Sequence, residues 1–145
     1  MSRRRFIRAV AIVGLAAAAL GYLYDPPWIG NMTSGLRAWE TREPGTVFRW
    51  TTGRASFFIP STATSVVIPM RSGLPGPGNA PVTVDLFVDD RFLTTLTLSD
   101  PDAWLRSELP LGRRLTHRRF RRIDVHVSRV VGDRLLGVMI APPTW

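Results

Sequence analysis

Val82-Thr83-Val84-Asp85-Leu86-Phe87-Val88-Asp89-Asp90-Arg91-Phe92-Leu93-Thr94-Thr95-Leu96-Thr97-Leu98 is the stretch that decides the fold. Val82, Val84, Leu86 and Val88 alternate with Thr83, Asp85 and Phe87, and a period of two puts the aliphatic side chains on one face of a strand and leaves the other wet. A helix would scatter them. Asp89-Asp90 follows at once, and Asp tolerates the left-handed backbone that tight hairpin turns require. Val82–Val88 and Phe92–Leu98 are therefore predicted to form an antiparallel hairpin.

Outward from this hairpin, short apolar runs recur between Pro, Gly and Asp at the spacing of an all-β sandwich or barrel. The further predicted strands are Thr46–Thr51, Ala55–Pro60, Ser65–Met70, Ile123–Ser128 and Leu135–Ile140. In the second clear alternation, Ile123, Val125 and Val127 oppose Arg122, Asp124, His126 and Ser128. Phe57-Phe58-Ile59 and Val66-Val67-Ile68 are apolar on both faces, as strands covered on both sides are. Arg71 to Pro81 is a loop by its Pro and Gly content. Ser99 to Thr116, carrying Trp104 and Pro110, is a second long connection. About seven or eight strands need two packed faces, so the expected fold is all-β: an antiparallel, jelly-roll-like two-sheet sandwich behind one N-terminal hydrophobic helix.

That helix is read from Ala9 to Tyr24, an uncharged run preceded by Arg3, Arg4, Arg5 and Arg8. With no further Arg until Arg37, the positive-inside bias keeps the N-terminus in the cytoplasm and sends the rest outward. Residues 1–24 are expected to be a signal anchor or a signal peptide of the bacterial inner membrane, with the domain periplasmic or extracellular. Ser2-Arg3-Arg4-Arg5-Phe6-Ile7-Arg8 also resembles the twin-arginine export signal. Asp25-Pro26-Pro27-Trp28 stops the helix. Residues 25–45 read as a stalk or leading arm with room for one helical turn at Leu36 to Trp39, and 46–145 as the sandwich domain.

The chain has 145 residues, 45% of them apolar, which suits one domain with a filled core. It has no Cys, excluding disulfides, thiolate metal sites and cysteine nucleophiles. All of its 19 basic Lys/Arg positions are Arg. Neither a Gly-x-Ser-x-Gly elbow nor a phosphate loop occurs, and His117 and His126 have no triad context. The chain is read as a non-enzyme needing no cofactor and no metal. Asp124 and His126, two apart on one strand face, could supply two metal ligands, one short of a site. Asp100 and Asp102 around Pro101 read as turn chemistry.

Two constellations are left. Six arginines fall within ten residues, Arg113, Arg114, Arg118, Arg119, Arg121 and Arg122. They suit an anionic surface, either headgroups beside the bilayer or phosphate-bearing polymers, or else a solvated edge that blocks strand aggregation. An exported domain is not expected to meet nucleic acid. Trp39, Trp50 and Trp104 are candidates for stacking on sugar rings, or for the core. The ligand site placed on one sheet face or rim comprises Trp50, Trp104, Asp85 and Arg122. Arg49 and Arg54, flanking an expected first hairpin, and Asp133-Arg134 before the last strand are candidates for pinning the ends of the domain by opposite charge.

Gly35-Leu36-Arg37-Ala38-Trp39-Glu40, Phe48-Arg49-Trp50-Thr51 and Arg54-Ala55-Ser56-Phe57-Phe58-Ile59-Pro60 resemble the opening of uncharacterised bacterial β-sandwich domains. The Val84-Asp85-Leu86-Phe87-Val88-Asp89-Asp90 hairpin and Asp133-Arg134-Leu135-Leu136-Gly137-Val138 are similar to the rest of that pattern. Such domains are similar to carbohydrate-module jelly rolls and accompany membrane glycosyltransferases or envelope polysaccharide enzymes. The resemblance implies an envelope glycan, or a membrane glycosyltransferase-type protein, as partner. The expected function is a membrane-tethered binding or accessory module, its bilayer contact through residues 9–24. The alternative is a structural subunit docking a membrane protein or anionic headgroups through the Arg-rich edge.

Overall fold

The computed structural model describes residues 3–43, 45–74, 80–112 and 117–145. Helix α1 (Arg3–Tyr24) is followed by a 3-10 turn, Pro27–Asn31, and the remaining elements are strands. Alanine and leucine favour the helix, and Pro26 and Pro27 end it because neither can donate the next intrahelical bond. At 22 residues, α1 is about 33 Å long, enough for a hydrocarbon core of about 30 Å. Within the apolar span Phe6–Asn31, the most apolar 18 residues have a mean hydropathy of 2.0 and none of them is buried against the domain.

The predicted hairpin is present: β6 (Val82–Val88) pairs with β7 (Arg91–Leu98), turning at Asp89 and Asp90 with φ of 51° and 66°. Next to β6 lies β9 (Phe120–Val127), and next to β9 lies β3 (Thr46–Pro60). In this register Ala55, Val125 and Leu86 stand side by side on one face, as do Phe57, Ile123 and Val88. All six are buried, and each Val, Leu, Ile or Phe side chain withdrawn from water contributes roughly 1.5–3 kcal/mol.

Strand β3 is one strand where two were expected. Thr51-Thr52-Gly53-Arg54 has hairpin composition, yet the chain runs straight on and shifts face: Phe48 and Trp50 are buried before the shift, Ala55, Phe57 and Ile59 after it. The shift is a bulge. Strand β1 (Thr33–Leu36) pairs Ser34 with Ser56 and Leu36 with Thr51, two steps along one strand against five along the other. Gly35 takes φ 63° there, and a Cβ on it would stand 1.9 Å from the Arg54 carbonyl oxygen.

The bulge lets β3 serve two regions. Its second half lies between β1 and β9; its first half lies between β2 (Glu40–Glu43) and β10 (Met139–Ile140), which carries β5 (Met70–Arg71) beyond it. A separate pair, β4 (Ser65–Val67) with β8 (Glu108–Pro110), adds Val66 and Leu109 to the main core. The protein is thus mostly β, a curled antiparallel sheet with a second small sheet and one apolar helix.

Several expectations need correction. Residues 33–43 are not a free arm with a helical turn at Leu36 to Trp39: they contribute β1 and β2, with the Arg37 N–H bonded to the Trp50 carbonyl at 2.9 Å. Short polar edge strands bury one face only in part, so no alternation marks them. Ser65–Met70 is broken because Pro69 cannot donate to a ladder, and Leu135–Ile140 keeps strand geometry only at its end, after a turn in which Leu135 has φ 52°. Arg71 belongs to β5, while residues 75–79 of the expected loop lie outside the described residues.

Candidate functional site

The outer face of the sheet carries what the alternation leaves out of the core. Across β3, β9 and β6, Arg54 stands opposite His126, which stands opposite Asp85; Ser56, Asp124 and Phe87 form the next row. Beside them Ser34 of β1 and Asp90 of the hairpin turn complete a groove of about 480 Å³. Arg122 lines both this groove and the neighbouring hollow at the end of α1. The Arg122 Nε donates to Asp124 at 2.9 Å, its Nη2 donates to Asp90, and its main-chain N–H donates to Asp89 at 3.1 Å. The hydrogen bond to Asp124 raises the guanidinium above its ordinary pKa; partial burial works against this and the charges of Asp124, Asp90 and Asp89 add to it. Phe87 lies against the His126 ring with centroids 4.7 Å apart.

Two guanidinium groups, Arg54 and Arg122, thus line the groove together with two carboxylates, Asp90 and Asp124. Formal charge cancels while donors and acceptors remain directed by rigid strands. Asp85 sits at the margin, its carboxylate accepting from the Thr95 hydroxyl at 2.6 Å. Asp124 and His126 share this face as predicted, but among the described residues no group of three His, Asp or Glu gathers as a metal cluster.

No family model matches the sequence, and no curated protein is similar to it. Among solved structures, the chain is similar to a family two carbohydrate esterase from Clostridium thermocellum in complex with cellohexaose. That likeness has 11% identity and a TM-score of 0.48, over 78% of this chain and 30% of the other. The chain therefore spans less than a third of that protein's length.

The four residues expected to share a ligand site do not meet. Asp85 and Arg122 lie on the outer sheet face, whereas Trp50 is 7% exposed in a second core with Phe48 and Met139, against which Trp104 packs. The Phe48 ring meets Trp50 edge-on at 6.2 Å and Trp104 at 6.4 Å. Trp50 fills the interior on the far side of the bulge, for the shift of face in β3 turns it inward, and half-buried Trp104 covers it.

The arginine cluster also divides. Arg113 and Arg114 lie outside the described residues. Arg121 is buried, pairing with Asp89 at 2.8 Å and donating to the Gly112 carbonyl at 2.8 Å, so it braces the hairpin turn from inside. Arg118 stacks its guanidinium over Tyr24 at 4.9 Å, and Arg119 pairs with Asp25 at 3.5 Å while donating its main-chain N–H to the same carboxylate. These two hold the end of α1 against β9. Arg49 does not pair with Asp133; it stacks on Trp39 at 4.7 Å. Asp100 accepts from the Asp102 N–H at 2.8 Å, the expected turn chemistry, and Asp102 pairs with Arg71 at 2.6 Å. What residue-by-residue reasoning missed was the groove as a unit: Ser34, Arg54, Ser56 and Phe87 become neighbours only through strand pairing.

Proposed function

We propose that the chain is a non-enzymatic binding module for neutral, hydroxyl-rich ligands, an envelope glycan foremost, held at the membrane by α1. The observation that carries this reading is the charge-balanced groove around Arg122. With formal charge cancelled the groove offers an anionic polymer no net attraction, and an apolar ligand would displace water from its charged groups without replacing it. A sugar offers hydroxyls that donate to the carboxylates and accept from the guanidinium groups, and an apolar ring face for Phe87. Convergent polar groups on a preformed concave surface are the usual make-up of small-ligand sites. The arginines in the first turns of α1 favour a cytoplasmic N-terminus and an external domain. The small β4–β8 sheet over the core supports a sandwich-like, two-layer description of that domain.

Calorimetric titration of the full chain in phosphatidylcholine nanodiscs with neutral envelope oligosaccharides tests the proposal. Saturable heat that weakens at least about tenfold in Arg122→Gln supports it, since a hydrogen bond to a charged group contributes roughly 1.5–3 kcal/mol. Absence of heat across the series, or equal affinity in the variant, rejects it.

A further inference from the structure

A second cleft, of about 140 Å³, opens where the 3-10 turn meets β1 and the C-terminal segment. Its rim is Trp39 and Trp145, 48% and 58% exposed, and its floor is the buried Phe57 and Ile140. Arg49 lies over the Trp39 ring and is fixed by two bonds, from Nε to the Arg37 carbonyl at 3.1 Å and from Nη2 to the Thr33 hydroxyl at 3.3 Å. Among the described side chains no Asp or Glu comes within ion-pair range of it, as is also true of Arg37 and Arg54, whereas Arg71, Arg119, Arg121 and Arg122 each have a carboxylate. Burial lowers the Arg49 pKa, with no acid to offset it. With Nε bonded to the Arg37 carbonyl, Nη2 to the Thr33 hydroxyl and one face stacked on Trp39, the remaining guanidinium N–H groups are left to receive an anion beside the aromatic wall.

The position of the cleft says which anion. Phe58 lines this cleft and also the hollow formed by Tyr24, Asp25 and Ile29 at the end of α1, so one side chain separates the two. Exposed Trp28 lies on the connecting turn. Tryptophan and arginine together, at the end of an apolar helix, occupy the headgroup level of a bilayer. The volume is below the range of sites for drug-sized molecules, roughly 300–1,000 Å³, and suits one headgroup better than an oligosaccharide.

We propose that the Trp39–Arg49–Trp145 cleft binds the phosphate headgroup of an anionic phospholipid, with Arg49 on the phosphate and the two indoles against the first carbons below it. This rests on α1 lying in the membrane, as in the proposed function, and is independent of the groove around Arg122. Membrane insertion is read separately, by whether the protein stays with the bilayer in alkaline carbonate.

The test titrates the full chain in a non-ionic detergent with dioctanoyl-phosphatidylglycerol, following tryptophan fluorescence, with dioctanoyl-phosphatidylcholine and inorganic phosphate as comparisons. The expected result is saturable phosphatidylglycerol binding, weakened at least about tenfold by Arg49→Leu and largely restored by Arg49→Lys, with the other two probes weaker. Trp145→Ala, at an exposed position, should weaken binding without lowering the unfolding temperature, which guards against misfolding of the Arg49 variant. Equal binding of phosphatidylcholine, phosphate binding as tight as the lipid, or full affinity in both Arg49→Leu and Trp145→Ala would overturn the assignment. Retention in carbonate alongside any of those results would discard the cleft and leave the tether standing.

Discussion

Substituting Gly35 by Ala should unfold the bulge that both clefts depend on. Gly35 sits between Ser34, which lines the groove, and Leu36, which lines the tryptophan cleft. Two costs add. A side chain at φ 63° is in the left-handed region, at about 1–2 kcal/mol. The new Cβ would also stand 1.9 Å from the Arg54 carbonyl oxygen, so main chain must move, at roughly 1–3 kcal/mol more. Gly132 is the control: its φ is 71° but open space surrounds it, so Gly132→Ala bears only the first cost. At about 4 °C per kcal/mol for a domain of this size, the Gly35 variant should lose about 8–20 °C and the Gly132 variant about 4–8 °C. Thermal unfolding of the full chain in detergent, followed by far-ultraviolet circular dichroism, reads both. If Gly35→Ala is no more damaging than Gly132→Ala, β1 does not press on β3 as described, and the clefts lose their shared wall.

Three further outcomes are expected. Trp50→Ala should cost about 3–5 kcal/mol in chemical denaturation by opening a cavity beside Phe48 and Met139, yet leave oligosaccharide affinity per folded molecule unchanged. Arg121→Met should cost about 3 kcal/mol, because it leaves Asp89 without its buried partner beneath the hairpin turn; denaturant titration with Asp89→Asn/Arg121→Met as the double variant should recover part of that loss. Asp25→Ala removes the acceptor for the Arg119 N–H, so that amide should exchange with deuterium about tenfold faster while the Val125 amide in the core stays protected.

Where the sequence was readable, period decided. Val82 to Leu98 announced its hairpin through strict alternation and two residues that accept positive φ, and Asp124 and His126 fell on one face because strands place alternate residues together. Where structure depended on pairing between distant segments, composition misled. Thr51-Thr52-Gly53-Arg54 reads as a turn and is a bulge, since only the presence of β1 on the other edge decides between them. Glu40-Thr41-Arg42-Glu43 has too few apolar residues to mark a strand, yet pairs with Thr46 to Phe48. The chemistry of Asp85 and Arg122 suggests a common site, and the two do share a face. The rings of Trp50 and Trp104 suggest a sugar platform, but the phase shift after Trp50 is invisible without the pairing, and it buries Trp50 with Trp104 packed against its cluster. Arg49 reads as half of a charge clamp and instead stacks on Trp39.

The most direct check on the groove uses the two histidines. His126 lines the groove beside Phe87 and Asp124, whereas exposed His117 precedes β9 and lies outside it. With both rings isotope-labelled in the full chain, neutral oligosaccharide at saturating concentration is predicted to shift the His126 ring signals and leave His117 in place. A His126 ring that stays put while ligand is demonstrably bound would contradict the account.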